Sequence, residues 1–292
     1  MQNKSIKILS PAKINWFLNV KSSAHNGYHQ LQTVMQKINL YDVIYIESID
    51  ENIIDFYDYN NKCFCIPKKN IIVKAALKLK NIFNINSGLF ISIEKNIPVC
   101  AGLGGGSSNA AAVLNALVKI WDLKISDNEL NKIAVTLGAD VPFFLKTTAG
   151  FCEGIGEKIS PQIPKKYNVV LWNHGIPLST RDVYNQFDQK DRAQKNAGEF
   201  LDAYSSEYLP QMANQIWNNL AFAATELNPK LSDMINECLG FGAVASWVSG
   251  SGPTVVSLCE TADKAEKLAG KLKKNNSADF IYVCETLLEK KK

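Results

Sequence analysis

Residues 101 to 112 read AGLGGGSSNAAA, with four glycines and two serines in the seven positions from 102 to 108. Glycine inside a regular element costs about 0.5 to 1 kcal/mol relative to alanine, so glycines this dense serve the backbone and not a core. The stretch before them, GLFISIEKNIPV at 88 to 99, alternates apolar and polar residues as a strand does. After them Ala110, Val113, Leu114, Leu117, Val118 and Trp121 mark one face of a helix about four turns long. The chain must therefore pass from strand to glycine loop to helix, and the free N–H groups and positive end of that helix favour an anion such as phosphate. A tight turn with close packing is the plainer account, although one or two glycines would suffice for it. Two common phosphate loops do not fit. No lysine follows the glycines as a Walker A loop requires, and neither Gly102-x-Gly104 nor Gly104-x-Gly106 continues to a glycine three residues on, as a dinucleotide fingerprint does.

The rest of the chain mixes both periods. From Ile6 to Val20 residues alternate, with Ala12, Ile14, Trp16, Leu18 and Val20 on one side and Lys13, Asn15, Phe17 and Asn19 on the other. HNGYH at 25 to 29 holds an Asn-Gly turn, and 38 to 57 read as further β structure. Ile72, Ala75, Ala76, Leu79 and Phe83 repeat at helical spacing over 71 to 83. A helix over 127 to 137 is expected to bury Leu130, Ile133, Ala134 and Leu137, with Gly138 capping its end. Near 155 to 168 the texture changes to IGEKISPQIPKKYN, which sets the expected boundary between domains 1–160 and 161–292. Beyond it come a strand NVVLWN, largely helical sequence from 180 to 239, two strands around SGSGP at 249 to 253, a helix over 262 to 274 and a last strand FIYVCET. That series makes the second half α+β.

A chain of 292 residues suits two domains better than one core. Its 46% hydrophobic and 21% charged residues are those of an ordinary globular protein. A net charge of +4 is too small for a polyanion-binding protein, which speaks against a nucleic-acid partner. No window holds 18 uncharged apolar residues, and the N-terminus has too short an apolar run for a signal peptide, so neither a membrane span nor a membrane partner is expected. Seven scattered cysteines, with only Cys63 and Cys65 close, predict reduced and mostly buried thiols, hence the cytoplasm. The three histidines, His25, His29 and His174, form no metal-binding cluster.

Few residues outside the glycine run carry chemistry by themselves. Asp140, in GADVPFFL, reads first as a helix N-cap before Pro142, and acquires a chemical meaning only if the fold brings it to face Lys13. Lys13 is a charge within a strand, solvated or functional. The glycines of SGSGP are explained by a hairpin turn, or by a second phosphate contact. Tyr28, His29 and Tyr184 stand in or beside loop sequence and are packing groups unless something brings them together.

Three segments, SPAKINWFLNV near the start, IPVCAGLGGGSSNAAA at 97 to 112 and SGSGPTVV at 249 to 256, resemble in order the three motifs of the GHMP kinases. Within that superfamily GLGGGSSNAA, NGYHQLQT and LGADVPFF are similar to the kinases of 4-diphosphocytidyl-2-C-methyl-D-erythritol, and the likeness covers essentially the whole chain. It implies a two-domain α+β fold: an N-terminal ribosomal S5 domain 2-like domain, a C-terminal ferredoxin-like domain and an active site in the cleft. It implies ATP and Mg²⁺ as cofactors and a small-molecule substrate, with the protein a monomer or homodimer. Asp140 would be the catalytic base and Lys13 its cationic partner. Pro98, Gly102, Leu103, Gly104, Gly105, Gly106, Ser107 and Ser108 would cradle the ATP phosphates, with Ser107 also on the metal. Asn70 and Lys95 would lie near the adenine, and Asn15, Tyr28, His29, Thr180 and Tyr184 would hold the cytidine end of the substrate. NNLAFAA at 218 to 224 departs from the Asn-Asp-Leu-Glu-Pro stretch usual in the family, and no site is assigned to it. A homoserine- or mevalonate-type acceptor, or a non-catalytic nucleotide- or RNA-binding module of the S5 type, are the competing readings.

Overall fold

A computed structural model describes residues 4–23, 29–60, 69–206, 208–276 and 279–288. The expected Asn-Gly turn at 26–27, Tyr28, Cys63 and Cys65 lie outside the described residues. In chain order the elements are β1 (Ser5–Ser23), β2 (His29–Ile49), β3 (Ile54–Asp58), α1 (Ile71–Ile82), β4 (Gly88–Glu94), α2 (Gly105–Ile120), α3 (Asp127–Val135), α4 (Val141–Lys146), β5 (Ala149–Gly154) and β6 (Lys158–Pro161). They continue with β7 (Asn168–Asn173), α5 (Thr180–Phe187), α6 (Ala197–Ser205), α7 (Leu209–Gln215), β8 (Trp217–Asn218), α8 (Leu220–Leu227), α9 (Lys230–Gly240), β9 (Ala245–Val248), β10 (Val255–Cys259), α10 (Ala262–Asn275) and β11 (Phe280–Glu285). The fold class is the expected α+β.

Contacts group the chain into two compact units: Met1–Ala12 with Leu40–Val99 and Gly104–Thr147, and Lys13–Asn39 with Cys100–Leu103 and Thr148–Lys292. The first unit lies wholly before residue 160, whereas the second takes segments from both sides of it, because β1 and β2 run through both units.

In the first unit β4 pairs antiparallel with β2 from Val43 to Ile49 and parallel with β3. Helix α2 packs on α1 and α4. Its length and apolar face follow the periodicity, with Ala110, Val113, Leu114 and Leu117 buried. Helix α3 opens on a capping box, in which the Ser126 side chain accepts from the Glu129 N–H and the Glu129 carboxylate accepts from the Ser126 N–H. It ends earlier than expected. The Thr136 hydroxyl donates to the Ile133 carbonyl at 2.6 Å and Thr136 becomes the C-cap, so Leu137 sits half-buried in the turn and Gly138 is not the cap.

In the second unit β7, β9, β10 and β11 form an antiparallel sheet in the order β11-β7-β10-β9. Numbered along the chain that order is 4-1-3-2, the arrangement of the ferredoxin-like split βαβ, as expected. Its core gathers Val170, Trp172, Val255, Leu268 and Leu272 with Leu18 and Val20 of β1. Strand β5 pairs with β6 and with β2 from Leu31 to Gln36, and Phe17 and Leu18 of β1 pair parallel with Trp217 and Asn218 of β8. From Ala12 to Val20 β1 is buried on both faces, so its alternation sorts chemistry and not exposure.

Five described cysteines are free thiols, of which Cys152, Cys238, Cys259 and Cys284 are buried. Burial raises Cys259 to about 11, which keeps it protonated. Among the described residues no helix is long and apolar enough to cross a membrane.

Candidate functional site

The glycine segment ends in a helix start built to leave donors open. Gly102 and Gly104 take the left-handed backbone with φ of 74° and 69°, and Gly104 is the N-cap of α2 with no side-chain capping bond. Intrahelical bonding begins with the Ser108 N–H, which donates to the Gly104 carbonyl at 2.9 Å. The N–H groups of Gly105, Gly106 and Ser107 therefore precede the helical ladder, and the first turn carries no acidic side chain to repel an anion. The four glycines have separate reasons. A Cβ on Gly102 would stand 2.0 Å from the Ser249 carbonyl oxygen, and one on Gly105 would stand 3.0 Å from Ile97 Cγ2 and 3.3 Å from Lys95 Nζ. Gly104 is fixed by its backbone. Gly106 is exposed, and the nearest atom to its Cβ position is Ile71 Cγ2 at 3.8 Å, so nothing in the protein requires glycine there.

The first unit brings several expected residues around that turn. Ser107 is half-buried, and its Oγ lies 3.6 Å from the Cβ position of Gly138, two residues before Asp140. Asp140 is the N-cap of α4 with Pro142 in the first turn, as its sequence allowed, yet its carboxylate makes no capping bond. Asn70 caps α1, its Oδ1 accepting from the Ile72 N–H at 2.9 Å, which sets it beside Ile71 and hence near Gly106. Lys95 is 4% exposed and its ammonium is paired with Asp42. Ser108 is turned inward, its Oγ accepting from the Ser10 hydroxyl at 2.7 Å. Half-buried Pro98 follows Ile97.

In the second unit Lys13 is 4% exposed, and its ammonium donates to Asn15 Oδ1 at 2.6 Å and to the Gly102 carbonyl at 2.9 Å. Its backbone N–H donates to Leu103 O at 2.9 Å, so Leu103 is held by main chain. The Asn15 amide donates to Thr33 Oγ1, and the Ser249 hydroxyl donates to Gly102 O at 3.1 Å. The Cβ position of Gly250 lies 3.6 Å from Lys13 Nζ. SGSGP and the first motif thus meet, with Ser251 Oγ 3.0 Å from Thr180 Oγ1 at the start of α5. One turn further along that helix, Tyr184 lies with its ring centroid 4.8 Å from that of His29, whose Nε2 is 2.6 Å from a carboxylate oxygen of Asp188.

Sequence reasoning missed several of these partners. Asp42 in the first unit and Asp188 in the second stand in no quoted motif, and Ser10, Asn109, Ser249 and Ser251 lie inside quoted motifs that do not announce their partners. The departing stretch NNLAFAA has a structural duty: the Asn218 amide donates to Val248 O and Gly250 O at 2.7 and 2.8 Å, holding the turn beside Lys13. Among the described residues there is no group of three or more His, Cys, Asp or Glu that could hold a metal ion. Oxygen donors at the start of α2, the Ser107 hydroxyl foremost, suit a hard cation such as Mg²⁺ arriving with a triphosphate.

Comparison with known proteins adds the following. The family model "GHMP kinases N terminal domain" matches residues 70–147 and "GHMP kinases C terminal" matches 204–278. The chain is 36% identical over 284 residues to the 4-diphosphocytidyl-2-C-methyl-D-erythritol kinase of Clostridium tetani (strain Massachusetts / E88), covering 97% of this chain and 100% of that one. With its counterpart from Alkaliphilus oremlandii (strain OhILAs) it shares 38% over 269 residues, 90% and 91% of the two chains. A crystal structure of 4-(cytidine 5'-diphospho)-2C-methyl-D-erythritol kinase superposes with a TM-score of 0.81 at 28% identity, covering 96% of this chain and 99% of that one. The homoserine kinase of Cytophaga hutchinsonii ATCC 33406 shares the fold, with a TM-score of 0.72 at 17% identity over 98% and 95% of the chains.

Proposed function

The chain belongs to the GHMP kinases, in the family of 4-diphosphocytidyl-2-C-methyl-D-erythritol kinases, and on that premise we propose that it transfers the γ-phosphate of ATP to the 2-hydroxyl of 4-diphosphocytidyl-2-C-methyl-D-erythritol. The observation that carries the reading is the start of α2, where open N–H groups surround a glycine that the protein's own packing does not need.

The N–H groups of Gly105, Gly106 and Ser107 bind the phosphate chain, and the helix end opposes its negative charge. Ser107 is the residue that would hold Mg²⁺, which would supply positive charge to offset the negative charge developing on the phosphate oxygens. Asp140 orients the acceptor hydroxyl. A carboxylate is a far weaker base than an alkoxide, so removing the hydroxyl proton in advance would be strongly uphill. In the loose transition state of phosphoryl transfer the nucleophile bonds late, so Asp140 receives the proton as the P–O bond forms. Lys13, held to Asn15 and Gly102, supplies fixed positive charge toward the reacting oxygens.

At the acceptor end His29 meets the edge of the cytosine and Tyr184 offers it a face, with Tyr28 as a second ring. A stacked base is worth about 1 to 3 kcal/mol. The reading places the protein in the cytoplasm, acting on a small molecule as a monomer or homodimer.

The test is ADP release with ATP and Mg²⁺, comparing 4-diphosphocytidyl-2-C-methyl-D-erythritol with homoserine and mevalonate as acceptors. Turnover is expected with the first alone, and kcat should fall by about 10² to 10⁴ in Asp140→Ala with ATP still bound. Turnover with homoserine or mevalonate reassigns the acceptor, and near-normal turnover in Asp140→Ala removes the assigned base.

A further inference from the structure

The glycine helix stands on a buried charge. Asp42, in β2, is 0% exposed, and both of its carboxylate oxygens are engaged. Oδ1 accepts from the Asn96 N–H at 2.8 Å and the Ile97 N–H at 2.9 Å. Oδ2 accepts from the Lys95 ammonium and from Asn109 Nδ2, the latter at 2.9 Å. The orientation of the Asn109 amide follows, since the reverse would set its oxygen against a carboxylate. One side chain thus joins β2, the turn at 95–97 that leads into the glycine segment, and the second turn of α2.

Lys95 is fixed from the other side as well. Asn60 clamps its backbone, its Oδ1 accepting from the Lys95 N–H at 3.0 Å and its Nδ2 donating to the Lys95 carbonyl at 2.9 Å. Its Nζ sits 3.3 Å from where a side chain on Gly105 would begin, directly beneath the first residue of α2. A buried ammonium beside the positive end of a helix is tolerated when a carboxylate neutralises it, and it is costly when that partner is removed. The expected place for Lys95, beside a bound nucleotide, therefore acquires a support that the nucleotide does not touch.

We propose that Asp42 is a positioning residue for nucleotide binding: by holding Lys95 and Asn109 it sets the geometry in which the N–H groups of Gly105, Gly106 and Ser107 meet the phosphates. The proposal rests on the reading of α2 as the ATP site. It concerns the nucleotide and leaves the acceptor alone, so its signature is a split between the two substrates.

The test measures the Kd of Mg·ATP by calorimetry, the KM of each substrate, kcat and thermal stability in the full-length protein and in Asp42→Asn, Asn109→Ala and Gly106→Val. In Asp42→Asn the ATP Kd and KM should rise about tenfold, equivalent to about 1.4 kcal/mol, while kcat at saturating ATP and the acceptor KM stay within about twofold. Asn109→Ala should move ATP affinity the same way by about threefold, and the double variant should be no weaker than Asp42→Asn because the two act through one network. Unchanged or tighter ATP binding overturns the proposal, and so does a matched loss in kcat and in both substrates, which a merely structural role would give. If Asp42→Asn does not fold, Asn109→Ala decides alone, with unchanged ATP affinity overturning the idea. Gly106→Val reports on the underlying reading: if it leaves ATP affinity intact, the helix is not the ATP site and both readings fall. If Gly106→Val weakens ATP and the other variants do not, only the role of Asp42 falls.

Discussion

Gly106 separates what the protein needs from what a ligand needs. With only an ordinary contact to Ile71 Cγ2 at 3.8 Å from its Cβ position and ordinary helical backbone, Gly106→Ala should stabilise the start of α2 by up to about 1 kcal/mol through helix propensity. The same methyl group should weaken ATP binding, because the phosphates approach where it would stand. Melting temperature and ATP Kd should therefore both rise. Unchanged ATP affinity would assign the glycine to chance and the phosphates to another place. The sequence counted four glycines as one signal, and that was only partly legible: Gly102 answers to the Ser249 carbonyl, 147 residues away in the chain, and no local pattern announces such a partner. Lys13 could be singled out as a charge within a strand. Asp42 carries the same signature in a segment read simply as β structure, and its importance depends on Lys95 and Asn109, which only the fold brings to it.

At the scale of elements, period and length were the reliable signals. Helices at 71–82 and 105–120 and strands at 88–94 and 168–173 follow directly from apolar spacing. Two-residue β8 was invisible inside a segment read as helical, since two residues carry no period. Its neighbour matters: Asn219 is 0% exposed, its Oδ1 accepts from the Val20 N–H at 2.8 Å, and its Nδ2 donates to Val20 O at 3.0 Å. Asn219→Ala would orphan both main-chain groups of Val20, and each buried group left unsatisfied costs about 1 to 3 kcal/mol. Denaturant melts should show a loss of at least about 2 kcal/mol, and a near-neutral result would show that water replaces the amide. The same strand explains why alternation misleads about exposure. β1 pairs with β8 within the second unit and is covered on both faces, so its polar residues are interior ones.

For the molecule as a whole, pH is a probe of one buried base. His174 is 8% exposed, and its Nδ1 accepts from the Ile176 N–H at 3.1 Å. Its Nε2 lies 2.7 Å from Asn228 Nδ2. Burial pushes the imidazole below its ordinary 6.5, with Lys230 adding to the effect and Asp279 opposing it. The unfolded chain thus takes up a proton at a higher pH than the folded one. Its contribution to stability is complete above about 6.5 and is lost as pH falls from there through the lower folded value. Melting temperature should drop on acidification from pH 7 to pH 5, and less so in His174→Asn. An equal drop in both proteins would assign the effect to other groups. At this scale the sequence supplied the fold class and the three motifs; the first unit lies wholly before residue 160, and contacts weave the second from segments on both sides of it because two long strands serve both units.

That weaving sets a clock on synthesis. Phe17 and Leu18 lie side by side with Trp217 and Asn218, so 200 residues must be added between the appearance of one strand and the arrival of its neighbour. At about 5 to 20 residues per second the nascent chain carries that edge uncovered for about 10 to 40 s. Slowing the ribosome between those points should lower the yield of active protein from a fixed amount of message, because what waits is a sticky edge and not a finished lobe.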